Sequence, residues 1–288
     1  MVRLVSTRKF GVSTHLYHGQ RLGRAHLIEI AAHGFEAVEV FATRTHFDYH
    51  SPTAIGDLQQ WLAEAGLELH GVHAPIAESF VGGRWGPALS LASAKAGVRA
   101  RAYAEAEAAL HVARRIPMRV LVAHLGLPRT QQPTPEDNNR DGARRSVEAL
   151  QRAAAALGVR VAVEVIPNEL SRAGSLVHFV EEDIEESDAG ICLDFGHAHL
   201  DGDVVDAIEI VSGHLIATHV HDNRGKTDDH LVPFDGTIDW PAALTAVQKV
   251  GYDGTLLLEL AAHGSPKETL ARAKKARQRM EGLMADGH

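Results

Sequence analysis

The sequence predicts a single-domain (β/α)8 barrel over residues 1–288, and three observations carry that expectation. Short β-rich apolar runs alternate with longer helical patterns along the whole chain, which implies parallel strands joined by crossover helices. There are eight such runs, the number that closes a barrel. The length of 288 residues suits one barrel of about 250 residues, and no linker or composition shift marks a second domain. An open doubly wound sheet would not need eight units, and no GxGxxG follows the first strand.

The expected strands are FGVSTHL (10–16), EAVEVF (36–41), LELHGVH (67–73), RVLVAHL (119–125), RVAVEVI (160–166), GICLDF (190–195), LIATHVH (215–221) and TLLLEL (255–260). The first three helices are expected over 22–34, 51–66 and the Ala-rich 88–115. The other five follow over 141–158, 175–183, 203–213, 237–251 and 265–282. Ser51-Pro52 reads as an N-cap followed by a first-turn proline, and Gly34, Gly66, Gly158 and Gly251 stand just past last turns. The most loop-like stretches, 43–50, 78–87, 128–141 and 222–236, all follow strands, so a barrel places them on one rim.

Composition narrows the function classes. With 45% hydrophobic and 23% charged residues the chain is globular rather than disordered. A formal charge of −8 argues against a general nucleic-acid binder without excluding a substrate of that kind. One cysteine, Cys192 in GICLDF, permits no intrachain disulfide and suits a packed strand. No apolar segment has signal-peptide or membrane-span character, so the expected location is the cytoplasm, with no membrane partner.

The 19 histidines gain meaning from position. His73, His124, Glu164, Asp194, His219 and Glu259 end six consecutive strands, and a barrel gathers the C-terminal strand ends at one mouth. His197, Asp228 and His230 lie in the loops leaving strands six and seven, within reach of the same mouth. A single strand-end His is more often a hydrogen-bonded rim residue than a ligand. Four carboxylates and five imidazoles together would shift one another's pKa values by several units unless cations compensate. A divalent metal resolves the conflict by keeping carboxylates ionised and imidazoles neutral.

Other polar residues carry weaker expectations. His221 shares a strand face with His219 and is expected to support the site or meet substrate. Arg224 and Lys226 are candidate phosphate contacts, and Glu78, Arg84, Trp85, Arg44, His46, Phe47 and Tyr49 candidate substrate contacts, against the plain alternative of a polar rim. His26, His33, His70, His111, His178, His214 and His288 are expected in solvated or capping roles, and His15 and His199 stay open.

HGVHAP, VAHLG, VEVIPNE, LDFGHAH, HVHDN, DDHLVPFDGTIDW and LLLEL, in this order, resemble the xylose-isomerase-like TIM barrel superfamily over nearly the whole chain. That superfamily includes sugar-phosphate isomerases and epimerases and the endonuclease IV class (AP endonuclease family 2). In the isomerase branch the resemblance implies one divalent metal (Mn, Mg, Co or Zn) on Glu164, Asp194, His219 and Glu259. Glu164 and Glu259 are then the catalytic proton carriers. In the endonuclease branch it implies up to three zinc ions, with His73, His124, His197, Asp228 and His230 joining the four, and phosphoester hydrolysis. The position three after His73, often aromatic in the superfamily, is Ile76 here.

The acidic charge and the lack of a basic run on the rim favour a small carbohydrate-like substrate, so a metal-dependent sugar or sugar-phosphate isomerase or epimerase is expected. The trinuclear hydrolase is the alternative, and a non-catalytic metal or sugar binder stands third because both glutamates are intact. An oligomer is compatible with the sequence.

Overall fold

Parallel strands flanked by amphipathic helices must bury both faces, and here the sheet does so by closing on itself. A computed structural model describes residues 8–184 and 188–286. The strands are β1 (Phe10–Ser13), β2 (Ala37–Phe41), β3 (Glu68–His73), β4 (Val120–Ala123), β5 (Arg160–Glu164), β6 (Gly190–Asp194), β7 (Leu215–Val220) and β8 (Leu256–Leu258). They pair in chain order, all parallel, and β1 pairs with β8 to complete the barrel. All eight expected strands are present. Several end earlier than expected: His124 and Glu259 stand just beyond β4 and β8, where the chain turns out of the ladder at the mouth.

The helices are α1 (Arg24–Ala32), α2 (Pro52–Ala65), α3 (Ala96–Leu110), α4 (Arg140–Ala155), α5 (Ala173–His178), α6 (Phe195–Asp201), α7 (Val204–Val211), α8 (Trp240–Lys249) and α9 (Pro266–Asp286). Ser51 caps α2 by accepting the amide of Ala54, and Gly34, Gly66, Gly158 and Gly251 take φ of 86°, 66°, 67° and 73°, the left-handed turn that favours glycine.

Three local expectations need correction. The helix expected over 88–115 starts only at Ala96, because serines upstream bond the backbone instead. Ser90 Oγ donates to the Asp137 carbonyl, and Ser93 Oγ accepts the Lys95 amide. FGHAHLD, read partly as strand end and partly as loop, forms α6, capped by Asp194 accepting the His197 amide at 2.7 Å. FVGGRW in the third loop is an antiparallel hairpin, Phe80–Val81 with Arg84–Trp85, whose Gly82 and Gly83 both have positive φ.

Side-chain alternation then sets the vertical order inside the barrel. Val120, Val122, Ala162, Cys192 and Ala217 form a small apolar cluster apart from the larger core under the helices. Two residues onward on the same strand faces come His124, Glu164, Asp194 and His219. The polar layer therefore sits on an apolar plug, at the C-terminal end of the strands. Cys192 belongs to that plug, and burial pushes its thiol up to about 12.

Candidate metal centre

Glu164, on β5, is the hub. One carboxylate oxygen lies 3.0 Å from His73 Nε2 and 3.0 Å from His124 Nε2, and the other 3.1 Å from His219 Nδ1 and 3.6 Å from His197 Nδ1. Around His219 Nδ1 stand Glu259 at 3.6 Å and Asp194 at 3.9 Å. Ligand atoms of Glu164, Asp194, His219 and Glu259 all fall within 4.8 Å of one another, and all four residues are buried. Glu259 Oε1 has no hydrogen-bond partner among the described residues. An orphaned carboxylate oxygen beside three other ligand-type side chains fits a divalent cation, which would satisfy it.

A second group sits beside the first. Ligand atoms of His197, His221, Asp228 and His230 also fall within 4.8 Å of one another. Asp228 Oδ2 lies 3.0 Å from His197 Nε2 and 3.3 Å from His230 Nε2, and His221 Nε2 is 3.0 Å from the Asp194 carboxylate. His73 and His124 with Glu164 form a third group. His230 adopts φ 46°, a left-handed conformation costing roughly 1–2 kcal/mol for a non-glycine residue. His221 fits only because residue 196 is glycine: a Cβ there would come within 2.0 Å of its ring.

Electrostatics follow from this crowding. Burial raises the Glu164 carboxyl, but the imidazoles of His219 and His124 outweigh it and hold it well below the ordinary range. Burial lowers His197, and the carboxylates of Asp194 and Asp228 more than reverse that. His230 follows the same pattern and is pushed up to about 9, chiefly by Asp228 against burial. Without a cation, protons on imidazole do the compensating; a bound cation would take over that role and release them.

Ring orientation is fixed from behind. His73 Nδ1 donates to the Ala74 carbonyl at 2.8 Å, His197 Nδ1 to Val165 at 3.0 Å and His230 Nδ1 to Glu259 at 3.0 Å. Each bond leaves Nε2 facing the site. His219 is reversed: its Nε2 faces Glu39, on β2, at 3.0 Å, so Nδ1 points at the four-residue cluster. Glu39 is 1% exposed and was missed in the sequence, where EAVEVF reads as an ordinary alternating strand. A glutamate in the middle of a buried strand was the available signal. Glu39→Leu is expected to weaken metal affinity about 10–100-fold, and Glu39→Gln, which keeps an acceptor, by less. Competition against a chelating dye measures both; unchanged affinity in Glu39→Leu would remove Glu39 from the site.

A cavity of about 550 Å³ opens over these residues. Trp85, Ile76, His15, His18 and Phe41 line it, so aromatic surface is supplied next to the position where Ile76 stands. Lys226 lines it as well. Arg224 does not, because its guanidinium donates to the Asp235 carbonyl; the expected substrate contact is corrected to that outward position. The second loop is likewise structural. His46 Nδ1 donates to the Gln20 carbonyl, Tyr49 OH to Glu105, Phe47 is core, and neither these nor Arg44, Glu78 and Arg84 line the cavity. His26 caps α1 as expected, accepting the Gly23 amide. His70, expected in a solvated or capping role, is 4% exposed and has no partner at either ring nitrogen among the described residues. The β2–β3 register skips it, and such a bulge turns a side chain inward. His288 lies outside the described residues.

Asp222, within HVHDN, takes no part in these groups. It is fully buried and accepts the amides of Asn223, Phe234 and Ile238 and the Trp240 indole N–H, bracing the loop that carries Asp228 and His230. No described helix is long and apolar enough to cross a membrane.

Comparison with known proteins agrees with this architecture. A family model described as xylose isomerase-like TIM barrel matches residues 27–283. An uncharacterized protein of Methanocaldococcus jannaschii is 29% identical over 268 residues, 87% of this chain and 83% of that protein. L-ribulose-5-phosphate 3-epimerase UlaE of Escherichia coli O157:H7 is 28% identical over 148 residues, 51% of this chain and 50% of the enzyme. Among solved structures, a D-tagatose 3-epimerase-like protein is similar with a TM-score of 0.78 at 24% identity, covering 96% of this chain and 98% of the other.

Proposed function

This chain belongs to the xylose isomerase-like TIM barrel family, and from that premise we propose that it is a divalent-metal-dependent epimerase or isomerase acting on a ketose or ketose phosphate. The observation that carries the proposal is the pairing of Glu164 and Glu259. They come from β5 and from the end of β8, and both approach His219 Nδ1, at 3.1 and 3.6 Å. Inverting a carbinol beside a carbonyl needs one group to remove the C–H proton from one face and another to deliver a proton to the other face. Two carboxylates flanking a single position provide that pair. The relation to a ketose-phosphate 3-epimerase over half of its length, and the fold shared with a tagatose 3-epimerase-like protein, support the same substrate class.

Glu164, Asp194, His219 and Glu259 would hold the metal, which when bound polarises the neighbouring sugar oxygens and acidifies the C–H. His73 and His124 hold the Glu164 carboxylate in place from the other side. Phe41 and Ile76, which line the cavity, would restrict water at the reacting carbon. The test is to incubate the protein, loaded with Mn, Mg or Co, with D-tagatose or L-ribulose 5-phosphate in deuterated water. Deuterium is expected at the carbon beside the carbonyl, with one metal per chain.

A second reading has its own observation: His197, His221, Asp228 and His230 form a ligand group beside the first. A trinuclear zinc hydrolase would use it. About three zinc ions per chain with cleavage of an abasic-site or simple phosphodiester substrate, and no deuterium uptake, would replace the epimerase proposal by this one.

A further inference from the structure

A column of rings in contact, stacked except at the tilted His15–His230 pair, runs from beneath the cavity up one of its walls. His221 and His230 lie 4.0 Å apart at 20°, His230 and His15 4.8 Å at 33°, His15 and His18 4.5 Å at 14°, and His18 and Trp85 5.4 Å at 8°. The column begins on a buried ring bonded to Asp194 and ends at the rim, where Trp85 is 42% exposed. His15 and His18 come from the turn after β1, and neither belongs to the metal-ligand groups.

Their hydrogen bonds show more than packing. His15 Nδ1 donates to the Leu260 carbonyl at 3.2 Å, and His18 Nδ1 to the His15 carbonyl at 2.7 Å. Those bonds fix both rings, and neither Nε2 has a protein partner among the described residues. A fixed ring nitrogen that faces the cavity is a hydrogen-bond acceptor open to a ligand hydroxyl.

We propose that His15 and His18 form a hydroxyl-binding subsite for the part of the sugar chain beyond the reacting carbons, with Trp85 covering its C–H face. The inference rests on the ketose assignment above. A sugar carbinol matches the wall on both counts: its hydroxyl bonds to Nε2, and its C–H bonds lie against an aromatic face. The direction of the column supports the placement. Its inner end touches the ligand residues, so substrate carbons nearest the metal lie at His230, and those farther along lie at His15, His18 and Trp85.

The test is calorimetric binding to the Mn-loaded protein of D-tagatose and of dihydroxyacetone, a ketose with no carbinol beyond the reacting region. His15→Phe and His18→Phe keep an aromatic ring at each place in the column and remove both ring nitrogens, Nε2 among them. Each is expected to weaken D-tagatose about fivefold to tenfold while leaving dihydroxyacetone affinity and metal content unchanged. Trp85→Ala, on a hairpin outside the barrel sheet, is expected to show the same selectivity. Unchanged D-tagatose affinity in all three variants, or equal losses for both ketoses, would overturn the subsite while leaving the ketose assignment standing. If the wild-type protein neither binds nor turns over D-tagatose or L-ribulose 5-phosphate, the ketose assignment falls and the subsite falls with it.

Discussion

Glu164→Gln is expected to abolish turnover, with a loss of about 10³-fold or more, and to lower bound metal, while the barrel stays folded. The carboxylate does three things at once. It faces four imidazoles within 3.6 Å, contributes to the buried ligand group, and is one of the two proposed proton carriers. Gln has the same shape and keeps an acceptor, but it cannot carry a proton and does not balance an imidazolium. The imidazoles respond by giving up their protons, so the fold tolerates the change better than if a fixed charge were stranded. Glu259→Gln is expected to stop turnover too. Its Oε1 has no protein partner to lose, so less rearrangement is expected around it. Circular dichroism, elemental analysis and solvent-deuterium uptake on the two variants separate the effects. Near-normal activity in either would remove that residue from the proton-transfer role.

Why was so much of this legible before folding? His124, Glu164, Asp194 and His219 each follow an apolar residue two positions earlier on a recognisable strand, so a period of two and one barrel rule bring them together. Glu39 obeys the same period but falls on the other side of the barrel, 180 positions from His219, and only closure of the sheet puts the two in contact. His18 lies in a turn whose course is set by tertiary packing rather than by pattern. Arg224 and Lys226 are two residues apart, yet only Lys226 lines the cavity, because loop direction is decided by the Asp222 and Asn223 bonds beneath it. The same bonds resolve the dense HVHDN…DDH run. His219, His221, Asp228 and His230 face the cluster, whereas Asp222 is a brace with four N–H donors. His70 escaped because a bulge breaks the alternation that sequence patterns rely on.

Metal affinity is expected to rise steeply with pH, and the sign follows from the charges in the metal-free site. His230 titrates near 9 rather than near 6.5, so its pairing with Asp228 stabilises the metal-free fold fully below about pH 6.5. That contribution is lost as pH climbs through about 9. Burial lowers His197 and His219, and carboxylates more than reverse it, Asp194 and Asp228 in one case and Glu39, Glu259 and Glu164 in the other. Glu164, Asp194 and Asp228 are shifted down, so their contribution is present above the ordinary carboxylate range and is lost only on strong acidification. A cation entering between pH 6 and 9 therefore meets ionised carboxylates and must displace protons from imidazole. Each proton displaced makes affinity rise about tenfold per pH unit. Thermal stabilisation by added Mn should grow over the same interval, since it tracks the ratio of metal concentration to dissociation constant. Competition titrations at pH 6, 7 and 8, with proton release read from calorimetry in buffers of different ionisation enthalpy, check both points. An affinity flat across that range would mean that the imidazoles around Glu164 and Asp228 are already neutral without metal. The carboxylates would then be compensated by something other than the histidines that surround them.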